Sequence, residues 1–273
     1  MIYILDSDAS KVIEAVRSTG VVITQPMIDY AHYICKNMKA IGTWDLCNAI
    51  YGFVGGTADS HKWNWKDLRD DDSAFRLTFF NSPTSDSNGV QFDGINQYAN
   101  TYLTPSISLA NNSTNITIYV KESSATTVRN TPITIGAVNS PNSGNNFLIL
   151  NRHNSSFNQF NFFSTNTTSI DGVGLTSSIG TSPFLGSISG NLLSNIMSLF
   201  WQGNKVNTNN IATTQSSLPN IPMYIGVANN VRGVVDFDNK LINFTSIGAG
   251  LTDIQAIQQS EIVKNAQSIL NRA

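Results

Sequence analysis

Residues 51–80 read YGFVGGTADSHKWNWKDLRDDDSAFRLTFF, residues 81–89 NSPTSDSNG, and residues 90–103 VQFDGINQYANTYL. Upstream of this stretch apolar residues recur at helical spacing. Downstream they alternate in short runs between Asn, Ser, Gly and Pro clusters. The stretch is where a helical segment hands over to a β body, and its reading decides the fold.

Working outward toward the C-terminus, alternating segments recur at 76–80, 89–92, 116–120, 133–138 and 146–151. They continue at 157–163, 197–201, 223–228 and 240–247, with a hairpin expected to turn at 202–204. Short strands at this spacing predict an antiparallel sandwich or jelly roll. No repeat of fixed period is present, which argues against a propeller or solenoid. Residues 252–272 predict a closing helix, with Thr252 and Gln255 as a capping box and Ile254, Ile257, Ile262, Ala266 and Ile269 as its apolar side.

Working outward toward the N-terminus, residues 8–18 predict a short amphipathic helix stopped by Gly20. Thr24 or Gln25, with Pro26 in the first turn, opens a second helix with a stripe of Met27, Ala31, Ile34, Met38 and Ile41. Leu46, Cys47, Ile50, Tyr51 and Val54 continue the spacing and predict a third helix, capped by Thr43 and ended at Gly55-Gly56. The expected organisation is a helical docking or cap region over 1–55 and a β-sandwich over 56–273 that includes the closing helix. Helices this short need a surface to pack on. That surface is either the sandwich itself or a larger assembly.

Val90-Gln91-Phe92-Asp93-Gly94 with Asn96-Gln97-Tyr98-Ala99 resembles the opening strand of LamG-like, concanavalin A-like jelly rolls. Residues 116–120 stand where their next core strand does, and 223–228, 244–248 and 251–253 resemble their closing segment. The runs 50–56, 61–64 and 74–77 extend the likeness to structural proteins of phages infecting Bacteroidetes and to related bacterial surface proteins. The resemblance implies a mainly β, two-sheet antiparallel jelly roll with a short α-helical N-terminal region and a C-terminal helix. It implies no ligand residues.

Composition narrows the function. Apolar residues make up 41% of the chain but charged ones only 12%, and Asn, Ser and Thr take their place. Net charge is −2, with Lys and Arg scattered singly, which disfavours nucleic acid and polybasic membrane binding as partners. The apolar start, residues 1–5, stops at Asp6 without a basic leader and is not read as a signal peptide. A surface of extracellular type without a secretion signal fits a phage protein made in the host cytoplasm, or a secreted chain already trimmed of its signal. Cys35 and Cys47 are read either as a disulfide between two helices or, with cytoplasmic synthesis, as buried free thiols.

Candidate sites are few. Trp63 and Trp65, two apart, are either one face of a core-packed strand or a sugar-stacking platform, and they are the glycan-binding candidates. Asp67, Asp70, Asp71 and Asp72 offer the oxygens calcium takes, but lack EF-hand spacing and read as a solvated acidic turn. No cofactor or metal is expected, and calcium is left unassigned. His32, His61 and His153 have no metal-ligand spacing, and no nucleophile elbow, P-loop or dinucleotide fingerprint is present. A glycosidase needs two facing carboxylates. The sandwich offers only Glu122, Asp86, Asp93, Asp171, Asp236 and Asp238, with the last pair expected on one strand face.

The expectation is a non-enzymatic virion fibre or decoration protein that adheres to host glycans and forms a homo-oligomer. Its N-terminal helices would dock it to other virion proteins. The alternatives are a bacterial surface carbohydrate-binding module and, third, a glycoside hydrolase or lyase on the same sandwich.

Overall fold

Alternation along the strands sorts the chain into three layers. The structure, a computed structural model, describes residues 4–121, 132–139, 145–153, 159–167, 174–178, 185–210 and 217–273. One sheet runs from Asn204–Asn210 (β13) through Ile196–Trp201 (β12), Leu185–Leu193 (β11), Ser113–Lys121 (β6), Leu241–Gly248 (β17) and Gly89–Gln91 (β4) to Thr84–Asp86 (β3). Cys47–Tyr51 (β1) pairs antiparallel with β17 and joins it.

The second sheet runs from Gly174–Ser178 (β10) through Gln159–Thr167 (β9), Asn145–His153 (β8), Ile135–Asn139 (β7), Tyr224–Ile225 (β14) and Tyr98–Asn100 (β5) to Thr78–Phe80 (β2). Ala228–Asn230 (β15) adds to β7 in parallel, the one parallel pairing among the described residues, and pairs with Gly233–Val235 (β16). Inward residues of both sheets, among them Ile116, Ile118, Val120, Ile188 and Leu199 facing Ala99, Ile135 and Ile225, form the sandwich core. The fold is the mainly β antiparallel sandwich that the alternation predicts.

The third layer is helical and covers the outer face of the first sheet. Ser7–Ser18 (α1) is capped by Asp6, whose carboxylate accepts from the N–H of Asp8 and Ala9. Gln25–Ala40 (α2) buries Tyr30, Ala31, Ile34, Cys35 and Met38. Ala58–His61 (α3) and Pro105–Ser108 (α4) are single turns. Asp253–Ile269 (α5) begins with the predicted capping box of Thr252 and Gln255. The predicted N-terminal stripes therefore face the chain's own sheet.

Two sequence readings are corrected. The third N-terminal helix does not form, because residues 47–51 are β1. Ala49, Tyr51 and Phe53 point into the sandwich core, while Cys47, Ile50 and Val54 point into the helical layer. A strand buried on both faces has no polar side, so its apolar spacing mimics a helix. The closing helix buries Ile262 and Ala266 of its predicted apolar side, but that side does not hold throughout and polar residues are buried beside it. Ile254 is 68% exposed, whereas Gln259, Ser260 and Gln267 are buried.

The reason lies in the sheet beneath α5. Outward residues Asn115, Thr117, Ser189, Asn191 and Ser246 are all buried there. Asn115 Nδ2 donates to Ser189 Oγ at 3.0 Å, and Thr117 Oγ1 donates to Ser189 Oγ at 2.9 Å. Gln259 Nε2 reaches Thr117 Oγ1 at 3.1 Å and Ser246 Oγ at 3.3 Å. A polar sheet face must be bonded by whatever buries it, so glutamine rather than isoleucine faces it.

Candidate functional site

The outer face of the second sheet is the contrasting surface, because no helix packs on it among the described residues. On three adjacent strands the alternation sends Phe79, Ala99 and Ile225 inward to the core. Their neighbours Phe80, Tyr98 and Tyr224 therefore point outward, half-buried.

Register makes these three rings a single ledge. Phe80 is directly opposite Tyr98, and Tyr224 is opposite Asn100, which places it on the diagonal from Tyr98. Cross-strand and diagonal aromatic neighbours are within reach of each other. The Phe80 and Tyr98 rings stack with centroids 4.6 Å apart and planes 6° apart, and Tyr98 and Tyr224 stack at 5.0 Å and 16°. Phe237 leans on Tyr98 from the side, at 6.4 Å and 53°.

A fixed polar rim borders the ledge. Asp93 Oδ1 accepts from the backbone N–H of Ile95, Asn96 and Gln97 at 2.8, 3.1 and 3.1 Å. Burial raises the Asp93 carboxyl, but these three bonds outweigh it and hold the group below the usual carboxylate range. Asn81 Nδ2 donates to the Asn96 carbonyl at 2.6 Å and Gln97 Nε2 to the Ser82 carbonyl at 3.2 Å, tying the loop after β2 to the loop before β5. Asn81 and Ser82 both hold left-handed backbone, φ 60° and 55°. On the other side Tyr102 donates through its hydroxyl to Thr78 Oγ1 at 3.0 Å. Burial raises the Tyr98 and Tyr224 hydroxyls, so both stay protonated through the neutral range.

The predicted site residues lie elsewhere. Trp63 and Trp65 are 7% and 4% exposed and belong to the cluster between β1 and the helices. The Trp65 ring meets Tyr30 edge-on at 5.9 Å and fills the space left by Gly52, where a Cβ would come within 2.1 Å of it. Lys62 Nζ lies 4.7 Å from the centre of the Trp63 ring. Neither indole offers an open face for a sugar. Their segment is also no regular strand: Asn64 holds it to β1 by accepting from Ile50 N and donating to the carbonyls of Asn48 and Ala74.

The acidic run is engaged in ion pairs. Asp67 pairs with Arg69 at 2.6 Å, Asp70 with Lys62 at 2.8 Å, and Asp72 with Arg76 at 3.1 Å. Among the described residues no three His, Cys, Asp or Glu converge on a metal-sized site. Both cysteines are free and buried, and burial pushes the Cys47 thiol up to about 12. His32 Nδ1 accepts from Asp6 N, and His153 lies on β8.

Asp236 and Asp238 are not on a strand face either. They sit in the loop between β16 and β17, and Asp238 is fully buried. Its carboxylate takes Lys240 Nζ at 2.6 Å, Thr134 Oγ1 at 2.6 Å and its neighbour's N–H at 2.8 Å. A carboxylate so engaged ties this loop to Thr134, the residue just before β7. Glu122 and Asp171 lie outside the described residues.

Sequence reasoning missed the ledge because register brings Phe80, Tyr98 and Tyr224 together, and register is not written in any one segment. The only local signal is the doubled Phe79-Phe80, which puts one ring on each face.

No protein-family model and no curated sequence matches the chain. Solved structures do. Domain 4 of AbnA, a GH43 extracellular arabinanase from Geobacillus stearothermophilus solved in complex with arabinotriose, is 15% identical, with a TM-score of 0.52 over 78% of this chain and 98% of that one. Trypanosoma rangeli sialidase in complex with 2,3-difluorosialic acid is 11% identical, with a TM-score of 0.55 over 88% of this chain. This chain spans only 39% of that sialidase. At such identities the likeness is one of fold: a β-sandwich of the kind found in carbohydrate-active proteins.

Proposed function

We propose that the chain is a glycan-recognition sandwich that binds without turnover, and that the Phe80–Tyr98–Tyr224 ledge is its binding surface. The observation that carries this reading is the parallel stacking of three half-buried rings on a sheet face that no helix covers among the described residues. Such a stack turns a ridge of apolar ring edges toward the C–H groups of a pyranose or furanose, while the tyrosine hydroxyls and an amide-rich rim take its hydroxyls. The sandwich fold shared with an arabinanase domain supports the ligand class. The non-catalytic reading is supported by Asp238, which is held by Lys240 and Thr134 instead of facing a second carboxylate across a cleft.

The proposed setting is a virion, as a fibre or decoration, and its support is the neutral Asn/Ser/Thr-rich composition and the sequence resemblance. One shallow ledge binds weakly, so a homo-oligomer would gain by multivalency. Because α1 and α2 turn their apolar stripes to the sheet, docking to other virion proteins would use their polar outer faces.

A glycan array followed by calorimetric titration of the hits tests the binding. Saturable binding with no release of reducing sugar is the expected result, and release of reducing sugar would contradict the non-catalytic reading. Labelled antibody on purified particles tests the setting.

A further inference from the structure

The ledge is flanked by a fourth ring that its stack leaves out. Tyr102 follows β5 and holds left-handed backbone, φ 56°. A non-glycine residue stays in that region only where its surroundings hold it. Two bonds hold Tyr102. Its N–H donates to Asn100 Oδ1 at 2.7 Å, and its hydroxyl donates to Thr78 Oγ1 at 3.0 Å. Thr78 stands directly opposite Asn100 on β2. The side chain therefore turns back from the end of β5 and crosses its own strand toward β2.

Asn100 registers the result. It shares the outer face with Tyr98, two residues before it, and no helix packs there among the described residues. It is nonetheless only 8% exposed. Tyr102 covers it, together with Tyr98 on its own strand and Tyr224 on the adjoining one. Tyr102 itself is half-buried. A ring laid along the sheet over Asn100 and tethered at its hydroxyl keeps its other face toward solvent.

The site thus has two kinds of aromatic surface. The Phe80–Tyr98–Tyr224 stack runs across three strands and turns ring edges outward. Tyr102 lies farther along the β5 direction and offers a flat face. The two surfaces adjoin. Tyr224 is opposite Asn100, hence diagonal to both Tyr98 and Tyr102, and both of their hydroxyls bear on its own. One sugar ring set against the edges of the stack leaves Tyr102 bare. A second unit, linked along the strand direction, covers it.

We infer that the ledge takes an oligosaccharide of at least two units, one against the Phe80–Tyr98–Tyr224 ridge and the next stacked on the Tyr102 ring. This rests on the glycan reading of the ledge and adds to it the length of ligand recognised, with Tyr102 as the residue that reads it.

The test is calorimetric titration of the methyl glycosides of the mono-, di- and trisaccharide cut from the strongest array hit, with melts run in parallel. The wild-type chain should bind the disaccharide at least about tenfold more tightly than the monosaccharide. In Tyr102→Ala that gain should shrink to about twofold or less, with monosaccharide affinity kept within about twofold of wild type. Tyr98→Ala should instead weaken all three lengths. If Tyr102→Ala does not melt cooperatively, Tyr102→Leu keeps apolar bulk over Asn100 without a flat ring and should lose the same gain. Equal wild-type affinity for mono- and disaccharide would overturn the inference and leave the glycan reading standing. So would a full length gain in a folded Tyr102 variant. Binding of none of the three by the wild-type chain would overturn the glycan reading and this inference with it.

Discussion

The outer faces of the two sheets invert the usual relation between polarity and exposure. Asn115, Thr117, Ser189 and Ser246 have the composition of a solvated surface, yet α5 buries them completely. Phe80, Tyr98 and Tyr224 have the composition of a core, yet they line the outer face of the other sheet, on which no helix packs among the described residues. Polar residues under a helix are sustained by their mutual hydrogen bonds and by Gln259. Aromatic residues on an open face have no comparable structural account, since that face needs no apolar cover to stay folded. The covered face packs the helical layer onto the fold, and the face without a helix among the described residues is the one proposed to recognise a ligand.

This contrast can be broken first by removing apolar mass from the covered face. Phe244, on the outward side of β17, is fully buried among the helices. Phe244→Ala should destabilise by about 3–5 kcal/mol in denaturant melts. A loss below about 1 kcal/mol would mean that the helical layer contributes little to stability. Gln259→Ala tests the polar seam more finely. It leaves Thr117 and Ser246 without their bonds from the helix and should cost about 1–3 kcal/mol.

Acid should also separate the two faces. His61 is 1% exposed, accepts from Gly56 N at 3.1 Å, and is pushed down to about 3 by burial and by Arg272. The unfolded chain binds a proton near pH 6.5 that the folded chain refuses, so stability is full above that pH and falls as pH drops toward 3. The slope approaches about 1.4 kcal/mol per pH unit within the window. His61→Gln should flatten the decline between pH 6.5 and 4.5, where most carboxylates have yet to titrate. A decline of unchanged slope would remove His61 as its source. Ligand binding at the ledge should stay level from pH 5 to 9, because the Tyr98 and Tyr224 hydroxyls are raised above their ordinary value.

The smallest stability effect belongs to the ledge. Tyr98→Ala removes two ring stacks at a half-exposed site, and about 1–2 kcal/mol is the expected loss.

What the sequence made legible follows the same division. Local alternation of apolar and polar residues shows β6 and β12 in Ile116-Thr117-Ile118 and Met197-Ser198-Leu199. The capping box of Thr252 and Gln255 is local and equally plain. β11 escaped notice because LGSISGNLL reads as loop composition, although its Ser and Asn residues are ladder members under α5. β1 reads as a helix because both its faces are buried. Trp63 and Trp65 suggest a surface platform only until the helices are placed over them. The ledge depends on pairing three strands from residues 78–80, 98–100 and 224–225, and pairing across such separations is a property of the assembled sheet.

The central claim is that the exposed ring ledge recognises glycan while the covered sheet stabilises the fold. Calorimetric titration of an array-identified oligosaccharide into the wild-type chain and into Tyr98→Ala tests it most directly, with melts run in parallel. The account predicts at least a roughly tenfold weaker Kd for the variant, equivalent to about 1.4 kcal/mol, with a cooperative melt retained. Undiminished affinity in a folded Tyr98→Ala chain would contradict it.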